Sequence, residues 1–261
     1  MNTQRKPLIA GNWKMNYDHL QALAFLQKLS WSLKNTAYDS SVTEVAVFPP
    51  FTDLRSAQTI VASEKLPIKI GAQDVSHEQS GAYTGDIAAA FLSSLDVSYV
   101  IVGHSERREY HAETDSLVGK KSAAALTAGI TPVICVGESL QQREEQGTVV
   151  PLVQLTEVLA EVPEGAEFVI AYEPVWAIGS GQAATAAQAQ EMCSHIRSKL
   201  RELRGEEVAS ATRILYGGSV KSDNIAEFMQ QPDVDGALVG GASLKIDEFT
   251  KIVQYQTGLA E

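Results

Sequence analysis

The stretch Phe168-Val169-Ile170-Ala171-Tyr172-Glu173-Pro174-Val175-Trp176-Ala177-Ile178-Gly179-Ser180-Gly181 reads as a strand that delivers one carboxylate to a covered rim. Residues 168–172 are apolar and Glu173 follows at once. Pro174 starts a short loop, and Gly179, Ser180 and Gly181 end it. A carboxylate beneath an apolar cover loses water, which disfavours its charged form and raises its pKa toward the range of a general base. Taken alone, the segment also fits a strand-end Glu before an ordinary turn. Its neighbours in the sequence decide between the two.

A second apolar run, residues 99–102, ends in Gly103 and then presents His104-Ser105-Glu106-Arg107-Arg108. A single His is often a structural hydrogen-bonding group. A His and a Glu that each follow a buried strand, in a chain of repeating strand and helix units, form a candidate pair of electrophile and base.

That repeating unit is legible throughout. Short apolar runs recur at residues 8–10, 45–48, 68–70, 99–102, 133–136, 168–171, 214–216 and 237–239. Between them lie helix-period segments. Ala22, Phe25, Leu26, Leu29 and Leu33 share one face, as do Ala189, Met192, Cys193, Ile196, Leu200 and Leu203. Strands buried on both faces and alternating with helices imply parallel pairing through right-handed crossovers. Eight such units in 261 residues predict an α/β fold: a (β/α)8 barrel of eight parallel strands ringed by helices, with residues 1–261 as one domain. No residue-level repeat accompanies the rhythm, and no linker interrupts it.

Composition agrees with this frame. Hydrophobic residues make up 44% and charged residues 20% of the chain, enough for a large core. The net charge of -11 argues against a nucleic-acid or anionic-membrane surface, while leaving room for a local pocket of opposite sign. The apolar stretch after Arg5 and Lys6 spans only residues 7–10, shorter than the core of a signal peptide. Two cysteines, Cys135 and Cys193, fit a reducing compartment, and both read as small core residues. The expectation is a cytoplasmic protein, and no His/Cys cluster has metal-ligand spacing, so no metal cofactor is expected.

Barrel enzymes carry their sites where strands end. Here those ends read Gly11-Asn12-Trp13-Lys14, Gly71-Ala72-Gln73, Gly103-His104, Gly137-Glu138, Glu173-Pro174, Gly217-Gly218-Ser219 and Gly240-Gly241. Two Gly-Gly pairs on the last two strands suit backbone amides approaching a phosphate. Lys14, two residues beyond Asn12 at the same mouth, supplies a fixed positive charge. Residues 73–86 form a long polar stretch with no periodicity, for which composition leaves an interface and a floppy loop equally open.

In order along the chain stand Ala10-Gly11-Asn12-Trp13-Lys14-Met15-Asn16, residues 103–108, residues 171–179, Tyr216-Gly217-Gly218-Ser219-Val220 and Val239-Gly240-Gly241-Ala242. This ordered set resembles the triosephosphate isomerase family over essentially the whole length. The resemblance implies interconversion of dihydroxyacetone phosphate and D-glyceraldehyde 3-phosphate through an enediol or enediolate. It implies Glu173 as the base, neutral His104 as the electrophile, and Lys14 with Asn12 as stabilisers of negative charge. The family pairing of Glu base, neutral His and closing loop is a worked example of pKa tuning.

The same resemblance implies phosphate contacts at Gly179, Ser219, Gly240 and Gly241, a substrate-binding place for Trp13, and support from Ser105 and Glu106. It makes Pro174, Val175, Trp176, Ala177, Ile178, Gly179 and Ser180 a lid. It places Gln73, Tyr83, Thr84 and Gly85 in a homodimer contact. The family often carries Gly-Thr-Gly-Lys where this chain has Gly179-Ser180-Gly181-Gln182, which bears on lid kinetics. The alternatives are a Lys14 Schiff-base lyase of aldolase type, another phosphosugar isomerase, and a non-catalytic phosphate-binding barrel. The last would lack Glu173, His104 or Lys14, and all three are present.

Overall fold

Each apolar run in the sequence becomes a strand in the computed structural model, which describes residues 5–36, 38–178 and 184–256. The strands are β1 (Leu8–Asn12), β2 (Glu44–Phe48), β3 (Lys69–Ala72), β4 (Tyr99–Val102), β5 (Thr131–Glu138), β6 (Val169–Pro174), β7 (Arg213–Tyr216) and β8 (Gly236–Val239). All pair in parallel with their sequence neighbours. β1 pairs with β8 as well, so the sheet closes. This is the (β/α)8 barrel that the residue pattern predicts.

Several strands run further than their apolar cores. The β5–β6 ladder continues through Gly137↔Glu173 to Glu138↔Pro174, and the β1–β2 ladder reaches Asn12↔Phe48. A polar residue stays in a strand as long as the neighbouring strand still offers backbone partners. Glu173 and Asn12 therefore sit on the rigid barrel rim, held by ladder hydrogen bonds.

Alternation along the strands splits the core in two. Leu8, Ala10, Ala46, Phe48, Tyr99, Ile101, Val133, Cys135, Val169, Ala171, Leu215 and Leu238 fill the barrel interior. Their neighbours Ile9, Val45, Val47, Val100, Val102, Ile134, Ile170 and Ile214 face the helices. Phe48 fits inside because its neighbour on β3 is glycine: a Cβ on Gly71 would lie 2.1 Å from the Phe48 ring.

The outer ring comprises α1 (His19–Asn35), α2 (Leu54–Ser63), α3 (Ala89–Ser93), α4 (Ser105–His111), α5 (Asp115–Thr127), α6 (Leu140–Gln146), α7 (Val149–Glu161), α8 (Ala186–Ala211), α9 (Ile225–Met229) and α10 (Ile246–Val253). The helix starts are written in local chemistry. Asp18 caps α1 and Thr185 caps α8, each in a reciprocal box with a Gln three residues on. The apolar face expected on α1 is buried in full. On α8 all of that face is buried but Leu203, which is half-buried just before a break at Gly205, where φ is 84°. Residues 73–86 form no helix or strand. The base of that loop is nevertheless tied: Ser76 N–H donates to Ile87 O at 2.8 Å, and Ser76 Oγ to Asp86 Oδ2 at 2.6 Å. Among the described residues no helix is long and apolar enough to cross a membrane.

Gly103 makes the turn between β4 and α4 with φ of 66°, and a Cβ there would lie 2.7 Å from Val118 on α5. Gly103→Ala is therefore expected to destabilise the fold by about 2 kcal/mol, from backbone strain plus overpacking. Urea denaturation measures it. A loss below about 0.5 kcal/mol, the usual size of a neutral surface change, would mean that α5 gives way freely.

Candidate active site

Closure brings the C-terminal ends of all eight strands to one rim, around a cavity of about 590 Å³. Its walls include Asn12 and Lys14 from β1 and its loop, His104 after β4, Glu173 on β6, residues 217–223 after β7, and Gly240 and Gly241 after β8. Residues 69 positions apart in sequence, His104 and Glu173, become neighbours there.

Glu173 is only 2% exposed. One oxygen lies 3.0 Å from His104 Nε2, and the other accepts the Ser105 N–H at 2.9 Å, with Ser105 Oγ at 3.3 Å from the first. The sequence predicts that burial raises the Glu173 pKa. Burial does act in that direction, but His104, the Ser105 N–H and the Cys135 thiol outweigh it, and the carboxyl is held below its ordinary value. In this arrangement the carboxylate is paired with the imidazole at its side.

His104 is fixed from its other side. As the N-cap of α4 its Nδ1 accepts the Glu106 N–H at 3.2 Å, so the neutral ring carries its proton on Nε2. Burial disfavours imidazolium, while the adjacent Glu173 carboxylate favours it and, in this pairing, lifts the His104 pKa above its ordinary value. The Glu106 carboxylate, 3.5 Å from Nδ1, acts in the same direction as Glu173. Of the two carboxylates, Glu173 acts on His104 the more strongly.

Lys14 adopts φ of 52°, a region that costs a residue with a Cβ roughly 1–2 kcal/mol. Its N–H donates to Asn12 Oδ1 at 3.0 Å, and its carbonyl accepts from Gln73 Nε2 at 2.8 Å. The ammonium lies 2.5 Å from Glu106 Oε1. Its side chain runs past Gly240, where a Cβ would begin 3.6 Å from Lys14 Cε. The fixed cation and the glycine end of β8 therefore border the same space.

Ser219 donates through Oγ to Ala177 O at 2.7 Å, joining the β7 loop to the segment after β6. Val175, Trp176 and Ala177 form a short 3-10 turn after Pro174, and Ile178 lines the cavity. Gly179, Ser180, Gly181 and Gln182 lie outside the described residues. Trp13 is among the residues that line the cavity, and its ring is fully buried against Tyr17 and Phe25.

A family model for triosephosphate isomerase matches residues 7–256. The chain belongs to the triosephosphate isomerase family. A triosephosphate isomerase of Leifsonia xyli is 59% identical over 254 residues, 97% of this chain and 98% of the relative. One from Corynebacterium efficiens is 58% identical over 95% of both chains. One from Streptomyces avermitilis is 56% identical over 97% of this chain and 99% of its own.

In this member of the triosephosphate isomerase family, the rim holds residues that sequence reasoning passed over. Cys135, read as plain core, faces the Glu173 carboxylate, and burial drives its thiol pKa well up. Glu138 is buried, and its Oε1 accepts from Tyr172 OH at 2.8 Å and from Trp176 Nε1 at 3.3 Å. Burial pushes the Glu138 pKa up. Its place after Gly137 at a strand end was the available signal. Tyr83, Thr84 and Gly85 are exposed and stand apart from the cavity lining. Among the described residues no group of three or more His, Cys, Asp or Glu side chains could hold a metal ion.

The pair fixes the sign of two pH effects. Glu173, with its lowered pKa, adds stability above the ordinary carboxylate value that is lost as pH falls through its folded value. His104, with its raised pKa, adds stability below the ordinary imidazole value that is lost as pH rises through its folded value. In Glu173→Gln the larger raising charge is gone while burial and Glu106 stay, so the His104 ring is expected to titrate at lower pH than in wild type. NMR of the imidazole measures this, and an unchanged or higher titration point would refute the coupling.

Proposed function

We propose that this chain interconverts dihydroxyacetone phosphate and D-glyceraldehyde 3-phosphate by proton transfer through an enediol or enediolate. The observation that carries the residue roles is the 3.0 Å contact between Glu173 and His104 Nε2 inside a cavity shared with Lys14 and the two glycine-ended strands. An aldose–ketose exchange moves one proton between adjacent carbons and another between their oxygens. Glu173 takes the carbon proton and returns it to the neighbouring carbon. His104, whose Nε2 rests 3.0 Å from Glu173, donates to the carbonyl oxygen once Glu173 turns to the substrate carbon, and relays the oxygen proton. An imidazole N–H is a weak acid suited to an enediolate oxygen, which is why neutrality matters.

Lys14 and Asn12 place preorganised positive and polar groups where charge develops on the substrate oxygens. Ser219, Gly240 and Gly241, with Gly179 from the lid, hold the phosphate through main-chain N–H groups. The segment from Pro174 to Ser180 closes over them and expels water, which protects the intermediate. The bonds from Ser219 Oγ to Ala177 O and from Trp176 to Glu138 are the contacts this motion must keep or exchange. The family membership favours this reading over a Schiff-base lyase or a non-catalytic barrel.

We also propose that residues 1–261 form one catalytic domain that works as a homodimer in the cytoplasm. A second cavity of about 510 Å³ opens beside the site, between Asn12, Lys14, Gln73 and Glu106 on one side and Met15 and Tyr110 on the other. Met15 is 95% and Tyr110 72% exposed, an apolar rim that supports docking of the partner's 73–86 loop. Two buried free thiols support a reducing compartment.

A coupled assay on wild type and Glu173→Gln tests the reaction and the base together. The expected result is fast wild-type turnover with a loss in kcat of roughly 10³-fold or more in the variant, the scale of general base catalysis. A folded wild type without turnover would favour the non-catalytic phosphate-binding alternative. Thr84→Arg, which sets a charge into the docked loop, is expected to give monomers by sedimentation, with kcat falling as the monomer fraction rises. A fully active monomer would refute the link between assembly and activity.

A further inference from the structure

Gln73 stands just beyond β3, and its amide reaches across the rim to the loop that carries Lys14. Its Nε2 donates to the Lys14 carbonyl at 2.8 Å and to the Phe48 carbonyl at 2.8 Å. A carboxamide nitrogen has two N–H donors, so both are engaged, and the flipped orientation would set Oε1 against two carbonyl oxygens. Phe48 O also accepts the Trp13 N–H at 3.2 Å, one rung past the last β1–β2 residue pair. The Gln73 amide closes this ladder at the point where Lys14 leaves it.

Lys14 leaves it in a backbone conformation that an L-residue disfavours, with φ of 52°. Both peptide groups that flank its Cα are held by side chains: Asn12 Oδ1 takes its N–H at 3.0 Å, and Gln73 takes its carbonyl. Asn16 Nδ2 fixes the preceding carbonyl, Trp13 O, at 2.7 Å. A relaxed Lys14 would return to negative φ, turn its Cβ, and carry its ammonium away from Glu106. Of these tethers, Gln73 is the one from outside β1 and its loop, so it ties the conformation to the end of β3 as well.

We propose that Gln73 is a positioning residue for the reaction: it holds Lys14 in the left-handed conformation and so keeps the ammonium in the cavity. The inference rests on the reading of Lys14 as the cation that meets the substrate. It gives Gln73 a task inside one subunit, separate from the assembly role implied by resemblance.

The test is a double-mutant cycle of Gln73→Met, which keeps the length and removes both donors, with Lys14→Ala. Gln73→Met is expected to lower kcat/KM by about ten-fold or more in the Lys14 background and by less than about two-fold in the Lys14→Ala background, because nothing remains to be positioned. A merely structural Gln73 would cost the same factor in both backgrounds, and that result overturns the proposal. No loss in the Lys14 background overturns it too. Gln73→Leu carries the same expectation and replaces Gln73→Met if that variant does not fold as a wild-type assembly by sedimentation. A crystal structure of the variant reads the geometry without turnover. Lys14 at negative φ with its ammonium apart from Glu106 supports the proposal, and Lys14 unchanged refutes it. That readout holds even if wild type proves inactive, so the two readings fail separately.

Discussion

Closure of the sheet, made by the pairing of β1 with β8, is the constraint on which the rest of the molecule depends. Leu8↔Gly236 through Gly11↔Val239 join the first strand to the last, and every strand thereby gains two neighbours. No edge is left to satisfy, and eight C-terminal ends are forced onto one rim. The seam is tight: Gly236 has φ of 154°, and a Cβ there would lie 2.0 Å from Leu8 O. Because β1 is bonded on both sides, the loop that follows it can carry unusual backbone at Lys14 and Tyr17 without unravelling. Tyr17 OH, bonded to Leu244 O at 2.5 Å, ties that loop to the turn after β8.

The rim shows how an acidic protein presents a site for an anion. The chain carries a net charge of -11, yet the acids beside His104 and Lys14 are committed to partners. Glu173 is bound to His104 and Ser105, and Glu106 to Lys14. Charge there is not a sum over residues but a set of pairs that a ligand can rearrange. Glu173 and His104 hold each other's pKa values apart from the values that burial alone would give. A pair buried to this degree couples strongly, whereas the exposed ion pairs on the helices, such as Arg201 with Glu206, contribute little.

Much of this was legible in the residue order. Short apolar runs, helix spacing and strand-end glycines are local signals, and they located the strands, the faces of α1 and α8, and the candidates Glu173, His104 and Lys14. Strand ends were less legible. Asn12, Glu138 and Glu173 look like loop residues by composition, and they become strand residues because the neighbouring strand still offers hydrogen bonds. Trp13 borders the cavity beside Asn12 and Lys14, yet its ring packs against Phe25 of α1, a contact that composition does not show.

The sequence by itself determined the architecture and the chemical types available at each strand end, because periodicity and turn chemistry act over a few residues. Tertiary structure alone decided which of those groups meet and in what charge state. The pull of His104 on Glu173, the thiol of Cys135 behind it, the Trp176–Glu138 bond and the reach of Gln73 to Lys14 each join different strand ends or the loops that follow them. Such contacts depend on register, side-chain direction and loss of water, and these exist only once the barrel has closed.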